Sequence, residues 1–102
     1  MYLISTSLYP GNKAKEVAER YLKAMAKYPD DKSIATAVVP GAVRSTVGGI
    51  KVMIIYDVKK GKFEEAHLAA VNRHVMLHDI LGYQYNLKTF LNLEEAMKAI
   101  GM

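Results

Sequence analysis

The sequence predicts an α+β domain in which helices pack on a four-stranded antiparallel sheet. Three observations support this fold class. Four short segments are rich in β-branched, aromatic and apolar residues, two longer segments carry the apolar periodicity of helices, and turn residues separate them in the order β-α-β-β-α-β. A chain of 102 residues without repeats or linkers suits a single domain, residues 1–102.

The elements follow from this pattern. The predicted strands are residues 2–9, 33–39, 50–58 and 83–91, and the predicted helices are residues 13–28, 63–81 and 93–100. Asn12 is the expected N-cap of the first helix, and Gly82 is expected to end the second. Asn92, with Glu95 three residues later, predicts a capping box for the short C-terminal helix.

The connections carry turn signals. Pro10-Gly11 follows the first strand, and Pro40-Gly41 is expected to close the second. Residues 40–49 (PGAVRSTVGG) are therefore predicted to form a hairpin loop before the third strand. Within it, Arg44 lies beside Ser45 and Thr46, and we consider it a candidate ligand-binding residue for an anion.

The element order is that of the split βαβ, or ferredoxin-like, arrangement with a C-terminal helix. In that topology the first and third strands lie at the centre of the sheet, and here they are the richest in Ile, Leu, Val and Met. The second and fourth strands contain residues typical of sheet edges, namely Pro40, Gln84, Asn86 and Lys88. Composition and topology therefore agree.

Alternation along the strands divides the sheet into two faces. We assign the more apolar set to the helix side: Tyr2, Ile4, Thr6, Leu8, Ile50, Val52, Ile54, Tyr56, Val58, Tyr83, Tyr85 and Leu87. The open face is then expected to present Leu3, Ser5, Ser7, Tyr9, Lys51, Met53, Ile55, Asp57, Gln84, Asn86, Lys88 and Phe90.

The expected open face is too apolar for a fully solvent-exposed surface and too polar for the core of a monomer. Sheet-to-sheet pairing of two copies would cover it, and we therefore expect a homodimer. The rival interpretation is a nucleic-acid platform with exposed aromatic residues. It is disfavoured, because Tyr56 is the only aromatic residue of GGIKVMIIYD and is predicted to face the helices.

Composition excludes several classes of function. The chain has no cysteine, so it has neither disulfides nor a thiolate nucleophile. A formal charge of +4 comes from dispersed lysines, which are typical of a solvated surface. No segment approaches the roughly 20 apolar residues of a membrane span, and the N-terminus has no signal-peptide pattern. We therefore expect a cytoplasmic protein with no membrane partner.

With this layout the chain resembles the dimeric α/β-barrel superfamily, whose small ferredoxin-like subunits pair sheet to sheet. The C-terminal segment GYQYNLKTFLNLEEAMKAIGM is also similar to the ends of uncharacterised members, where a strand runs into a short EEA helix. The superfamily includes haem-degrading monooxygenases, cofactor-free oxygenases and lactone isomerases. The resemblance implies a ligand-binding cleft between the helices and the sheet.

All three histidines lie in EEAHLAAVNRHVMLHD, within the second predicted helix. At about 100° per residue, His67, His74 and His78 share one stripe, which we expect to face inward. His74 and His78 are the candidate catalytic residues. His67 is a candidate ligand-binding residue, and the candidates opposite it on the sheet are Tyr56, Tyr85 and Thr6.

Three interpretations of the histidine stripe remain open. Each imidazole could simply be paired with backbone or hydroxyl groups in a structural or regulatory dimer. Alternatively, the stripe could line a cleft for a small molecule and serve proton-transfer chemistry without a cofactor, as in an oxygenase or isomerase. Finally, His74 and His78 could bind a metal or haem, although His67 lies about 10 Å along the helix from His74.

The haem interpretation has one clear departure from the family pattern. Haem-degrading members use a histidine on the helix before the last strand, which His74 or His78 resembles. They also use an asparagine on the first strand and a nearby tryptophan. This chain has Ser5, Thr6 and Ser7 on that strand and no tryptophan, which disfavours haem degradation, and the sequence does not identify a cofactor.

Overall fold

The computed structural model describes residues 1–102 as a four-stranded antiparallel sheet with three helices. The elements are β1 (Tyr2–Tyr9), α1 (Ala14–Lys27), β2 (Ala35–Thr46), β3 (Gly49–Val58), α2 (Phe63–Val75), β4 (Gln84–Phe90) and α3 (Leu93–Ala99). The strand order is β2-β3-β1-β4, so β1 and β3 are central, as predicted. This α+β topology is consistent with a ferredoxin-like arrangement.

The second strand is longer than predicted. β2 continues through Pro40-Gly41 to Thr46, where a loop was expected. Two register shifts, between Ala37 and Val39 and between Val39 and Ala42, absorb the interruption. Proline is tolerated here because β2 is an edge strand. The bulges accommodate the extra residues of β2, so that its pairing with β3 continues on both sides of them.

The helix termini differ in how well the sequence predicted them. α3 begins with the expected capping box: Asn92 accepts from the Glu95 backbone N–H, and Glu95 accepts from that of Asn92. Asn12, in contrast, is not the cap of α1, because a short 3-10 turn over Gly11–Lys13 precedes that helix. α1 therefore begins without a side-chain cap.

α2 ends at Val75, six residues before the predicted end. Beyond it the chain continues in i→i−3 turns, with backbone N–H groups of Leu77, His78 and Ile80 donating three residues back. Such turns advance about 120° per residue instead of about 100°. Residues after Val75 are therefore rotated away from the positions that an uninterrupted helix would give them.

The face assignment was correct for β3 and β4 and wrong for β1. Leu3 pairs with Tyr56, and Ser5 pairs with both Ile54 and Leu87. Directly paired residues share a face, so the odd-numbered residues of β1 lie beneath the helices. The open face accordingly presents Tyr2, Ile4, Thr6 and Leu8, together with Lys51, Met53, Ile55, Asp57, Gln84, Asn86, Lys88 and Phe90.

The core forms two clusters of buried residues. One comprises Leu3, Ile54, Tyr56, Val58, Ala66 and Ala70, and the other comprises Tyr9, Val17, Ala24, Leu77 and Ile80. Between them β1 contributes two serines, Ser5 and Ser7, which fill little space. No helix in the chain has the length and apolar character that a membrane crossing requires.

Candidate functional site

A cavity of about 270 Å³ lies between the helices and the sheet, where the two core clusters separate. Ser5 and Ser7 form part of its floor, and residues of both clusters form its walls. Eleven of the seventeen lining residues are aliphatic residues or tyrosines, and the four tyrosines add hydroxyl groups to a mainly apolar lining. The polar lining groups include Tyr21, Tyr56, Arg73, His74 and Tyr83. The cavity is thus an apolar chamber with a few converging polar groups, which is typical of small-molecule sites.

His74 of α2 is hydrogen-bonded through both ring nitrogens. Its Nε2 lies 2.6 Å from Oγ of Ser5, and its Nδ1 lies 2.6 Å from the hydroxyl oxygen of Tyr83. In a neutral imidazole one nitrogen donates and the other accepts, so the two hydroxyls fix the ring in place. Burial, with the nearby charges of His78 and Arg73, lowers the pKa of His74 to about 4. The ring is therefore neutral at neutral pH.

Tyrosines surround this imidazole. The ring of Tyr85 stacks on that of His74 with centroids 4.2 Å apart, and Tyr83 lies 6.0 Å away at an angle. Burial raises the pKa of Tyr83 and raises that of Tyr56 to about 12. Both phenols therefore remain protonated and serve as hydrogen-bonding groups, not as bases.

Arg73 places a positive charge at the same cavity. Its Nε donates to the backbone oxygen of Tyr28 at 2.8 Å, and its Nη1 donates to the Tyr56 hydroxyl at 3.1 Å. Its Nη2 lies 3.2 Å from Oδ1 of Asp30. These bonds tie α2 to the end of α1 and to the sheet, and they hold the guanidinium in one orientation.

Two of the three histidines lie outside the cavity, contrary to the predicted inward stripe. His67 is exposed and packs on Phe63, with ring centroids 5.9 Å apart. The exposed His78 approaches the Tyr85 hydroxyl at 3.3 Å. The stripe lies roughly 100° from the centre of the buried arc of α2, and only His74 borders the cavity.

Thr6 and Arg44, both predicted to bind a ligand, lie on the opposite face of the sheet. Thr6 pairs with Met53 and Asn86, and Arg44 pairs with Lys51, so both belong to the open face. Among the predicted sheet residues, Tyr56 lines the cavity. Tyr85 contacts His74 by stacking.

The arrangement does not fit a metal or haem ligand set. No group of three or more His, Asp or Glu side chains is close enough together to hold a metal ion. Both ring nitrogens of His74 are already engaged by Ser5 and Tyr83, which leaves no lone pair for an iron atom.

Sequence reasoning missed the residues that complete the site: Ser5, Ser7, Tyr21, Arg73 and Tyr83. A signal for Arg73 did exist. The buried residues of α2 and the following turn, Ala66, Ala70, Arg73, Leu77 and Ile80, follow the i, i+4, i+7, i+11, i+14 spacing of one helical face. An arginine on the buried face of a helix indicates a buried cation that is paired with specific hydrogen-bonding partners.

Among the solved structures compared, one supports the fold, and it supports the fold alone. A de novo designed protein, Foldit4, superposes with a TM-score of 0.51 over 88% of this chain and 96% of that chain, at 12% sequence identity. A formyltetrahydrofolate deformylase from Pseudomonas putida KT2440 gives a TM-score of 0.47 over 87% of this chain and 28% of that chain, at 9% identity. No protein-family model matches the sequence, and no curated protein is similar to it.

Proposed function

We propose that the protein is a homodimer that binds a small, mostly apolar molecule in the cavity between the helices and the sheet. The observation that best supports this proposal is that His74 lines the cavity as a neutral imidazole held by two hydroxyl groups. A histidine serving only to stabilise the core would be expected in close packing, whereas this one borders open volume. Its neighbours at the cavity wall are mainly apolar side chains.

The chemistry that this site supports is proton transfer without a cofactor. Ser5, His74 and Tyr83 form a continuous hydrogen-bonded chain, and all three line the cavity. Because the pKa of His74 lies below neutrality, its imidazole is neutral, and one ring nitrogen accepts a hydrogen bond within that chain. A proton leaving an acidic position of the ligand passes to the Ser5 hydroxyl as that hydroxyl gives its own proton to Nε2 of His74, in the tautomer whose Nδ1–H donates to Tyr83. Isomerisation through an enol is a reaction of this class.

Dimerisation through the open face is supported by how little of the chain is buried. Only 13 of 102 residues are buried, and the open face retains Ile4, Leu8, Met53 and Ile55 in partly exposed positions. A second sheet packed about 10 Å away would cover these side chains. The same surface on both copies satisfies the requirement of a two-fold interface.

The charged residues of the open face are placed so that two copies of the chain bring opposite charges together. On the open face of β3, Asp57 lies at one end, and Lys51 lies about 20 Å away at the other, beside Arg44 of β2. When two sheets stack with their β3 strands antiparallel, Asp57 of each copy lies over the basic end of the other. Opposite charges at both rims would thus fix the orientation of the dimer.

A blocked-cavity variant tests the binding proposal. Ala18 is an exposed residue of α1 that lines the cavity, so Ala18→Phe narrows the space from the solvent side. Ala26→Phe is the matched control, because Ala26 is also exposed on α1 but lies outside the cavity. We expect calorimetric titration with naphthoate to show binding by the wild type and Ala26→Phe, and at least a tenfold loss for Ala18→Phe. Equal affinity in all three proteins would overturn the proposal.

A further inference from the structure

Arg73 is the only lysine, arginine or acidic residue that lines the cavity, and it takes no part in the hydrogen bonds that join Ser5, His74 and Tyr83. The residue is 8% exposed, so its guanidinium is largely withdrawn from water. A buried cation is costly unless it is paired with negative charge. Its surroundings therefore bear on the kind of ligand that the cavity accepts.

The negative charge near Arg73 lies on one side only. Asp30, its carboxylate partner, follows the end of α1, and 48% of its side chain is exposed. None of the residues lining the cavity is acidic. Of the three hydrogen-bonding partners of Arg73, only Tyr56 lines the cavity, and its hydroxyl is neutral. Its positive charge is therefore compensated from the solvent side but not from within the chamber.

The guanidinium also retains hydrogen-bonding capacity. It has five N–H groups, and the bonds to Tyr28, Tyr56 and Asp30 use one each on Nε, Nη1 and Nη2. Each terminal nitrogen keeps one further N–H. Planar guanidinium groups present such pairs to carboxylate or enolate oxygens with well-matched geometry.

We propose that the ligand is an organic acid bound as its anion, with an ionised carboxylate or enolate oxygen paired with Arg73 and an apolar body in the rest of the cavity. This inference rests on the proposed function of the cavity. The apolar walls favour a single charged group on an apolar body over a polyanion. An organic cation is disfavoured, because it would meet the charge of Arg73 without an acidic partner.

Matched probes separate this inference from the binding proposal. Naphthoate, naphthylmethanol and naphthylmethylammonium share one ring system and differ in charge, and a benzene set of the same three groups covers smaller ligands. Titration calorimetry on the full chain would compare the wild type with Arg73→Met and Asp30→Asn. Asp30 is half-exposed and is not among the residues that line the cavity, so Asp30→Asn leaves the cavity walls unchanged.

We expect the wild type to bind the carboxylate about ten- to a hundredfold more tightly than the alcohol, and the ammonium compound more weakly than either. Arg73→Met should remove this preference while retaining alcohol binding. Asp30→Asn should tighten carboxylate binding without affecting alcohol binding. If Arg73→Met fails to fold, this variant tests the role of Arg73 in its place, and unchanged carboxylate binding would overturn the inference. Equal affinity for carboxylate and alcohol in the wild type would overturn the inference but leave the cavity a binding site. Failure of all probes to bind would overturn both proposals.

Discussion

The imidazole ring of His74 lies flat on the phenol ring of Tyr85, with centroids 4.2 Å apart and planes 3° from parallel. Ser5 and Tyr83 hold the two edges of the same imidazole through hydrogen bonds. Ring translation and ring rotation are thus both restricted. A residue fixed in this way at the border of a cavity is preorganised for contact with a ligand.

The depressed pKa of His74 predicts an acid-dependent loss of stability. An unfolded chain protonates this histidine near pH 6.5, whereas the folded protein resists protonation down to about pH 4. The contribution of His74 is therefore fully present above pH 6.5 and is lost as pH falls from 6.5 towards 4. Over that window we expect the free energy of unfolding to decrease by up to about 3 kcal/mol relative to His74→Gln.

Urea unfolding of both proteins across the same pH range would check this. Carboxylates such as Asp79 titrate identically in the two proteins, so their contribution cancels in the difference. A stability difference that stays constant between pH 7 and pH 4 would contradict a buried neutral His74.

The three histidines should differ sharply when each is replaced by alanine. His74→Ala removes a partly buried ring and the partner of the buried Ser5 hydroxyl, so we expect a loss of about 2 kcal/mol or more. His67→Ala and His78→Ala change exposed side chains and should stay within about 0.5 kcal/mol of the wild type. Chemical denaturation would measure all three. Equal losses would restore the inward stripe expected from the sequence.

Much of the fold was predictable because its signals are local or topological. Element order and composition predicted the central positions of β1 and β3, and Asn92 with Glu95 predicted the capping box of α3. Faces are harder to predict, because they depend on the register between strands. Ser5 made the helix side of β1 appear to be the polar side, although the serine is buried as a partner of His74.

The histidine site was predictable only in part for a similar reason. Of the residues proposed from the sequence, His74 and Tyr56 line the cavity, and Tyr85 stacks on His74. The sequence pattern placed His67 and His78 inward because the apolar Leu68 and Val75 made the histidine side of α2 appear buried, although both of these side chains are exposed. Functional sites are where local rules are most often broken, and a buried Arg73 in an otherwise apolar seam is such a case.

Two glycines of the β2–β3 hairpin should respond differently to replacement by alanine. Gly49 has φ of +127°, and a Cβ there would collide with the backbone oxygen of Tyr9. Gly41 has no atom near its Cβ position and no positive φ. We expect Gly49→Ala to cost about 1–3 kcal/mol and Gly41→Ala to be nearly neutral. Thermal unfolding of the two variants would show this contrast, and similar losses would contradict the described hairpin geometry.

The proposed dimer predicts a specific response to charge on the open face. Ile55 lies near the centre of that face, paired with Ile4, so Ile55→Lys would bury two unpaired ammonium groups in the interface. We expect the variant to be monomeric by light scattering where the wild type is a dimer. Leu68→Lys is the control, because Leu68 is exposed on α2 and lies outside the open face. A monomeric wild type would contradict the dimer.

The most direct test of the ligand site is a titration of the isotope-labelled protein with naphthoate, observed through the histidine ring signals by NMR. Only His74 borders the cavity, whereas His67 and His78 are exposed outside it. We predict that the His74 signals shift on binding and that the pKa of His74 rises from about 4 as the anion offsets the charge of Arg73. Unchanged His74 signals at saturation, or shifts confined to His67 or His78, would contradict it.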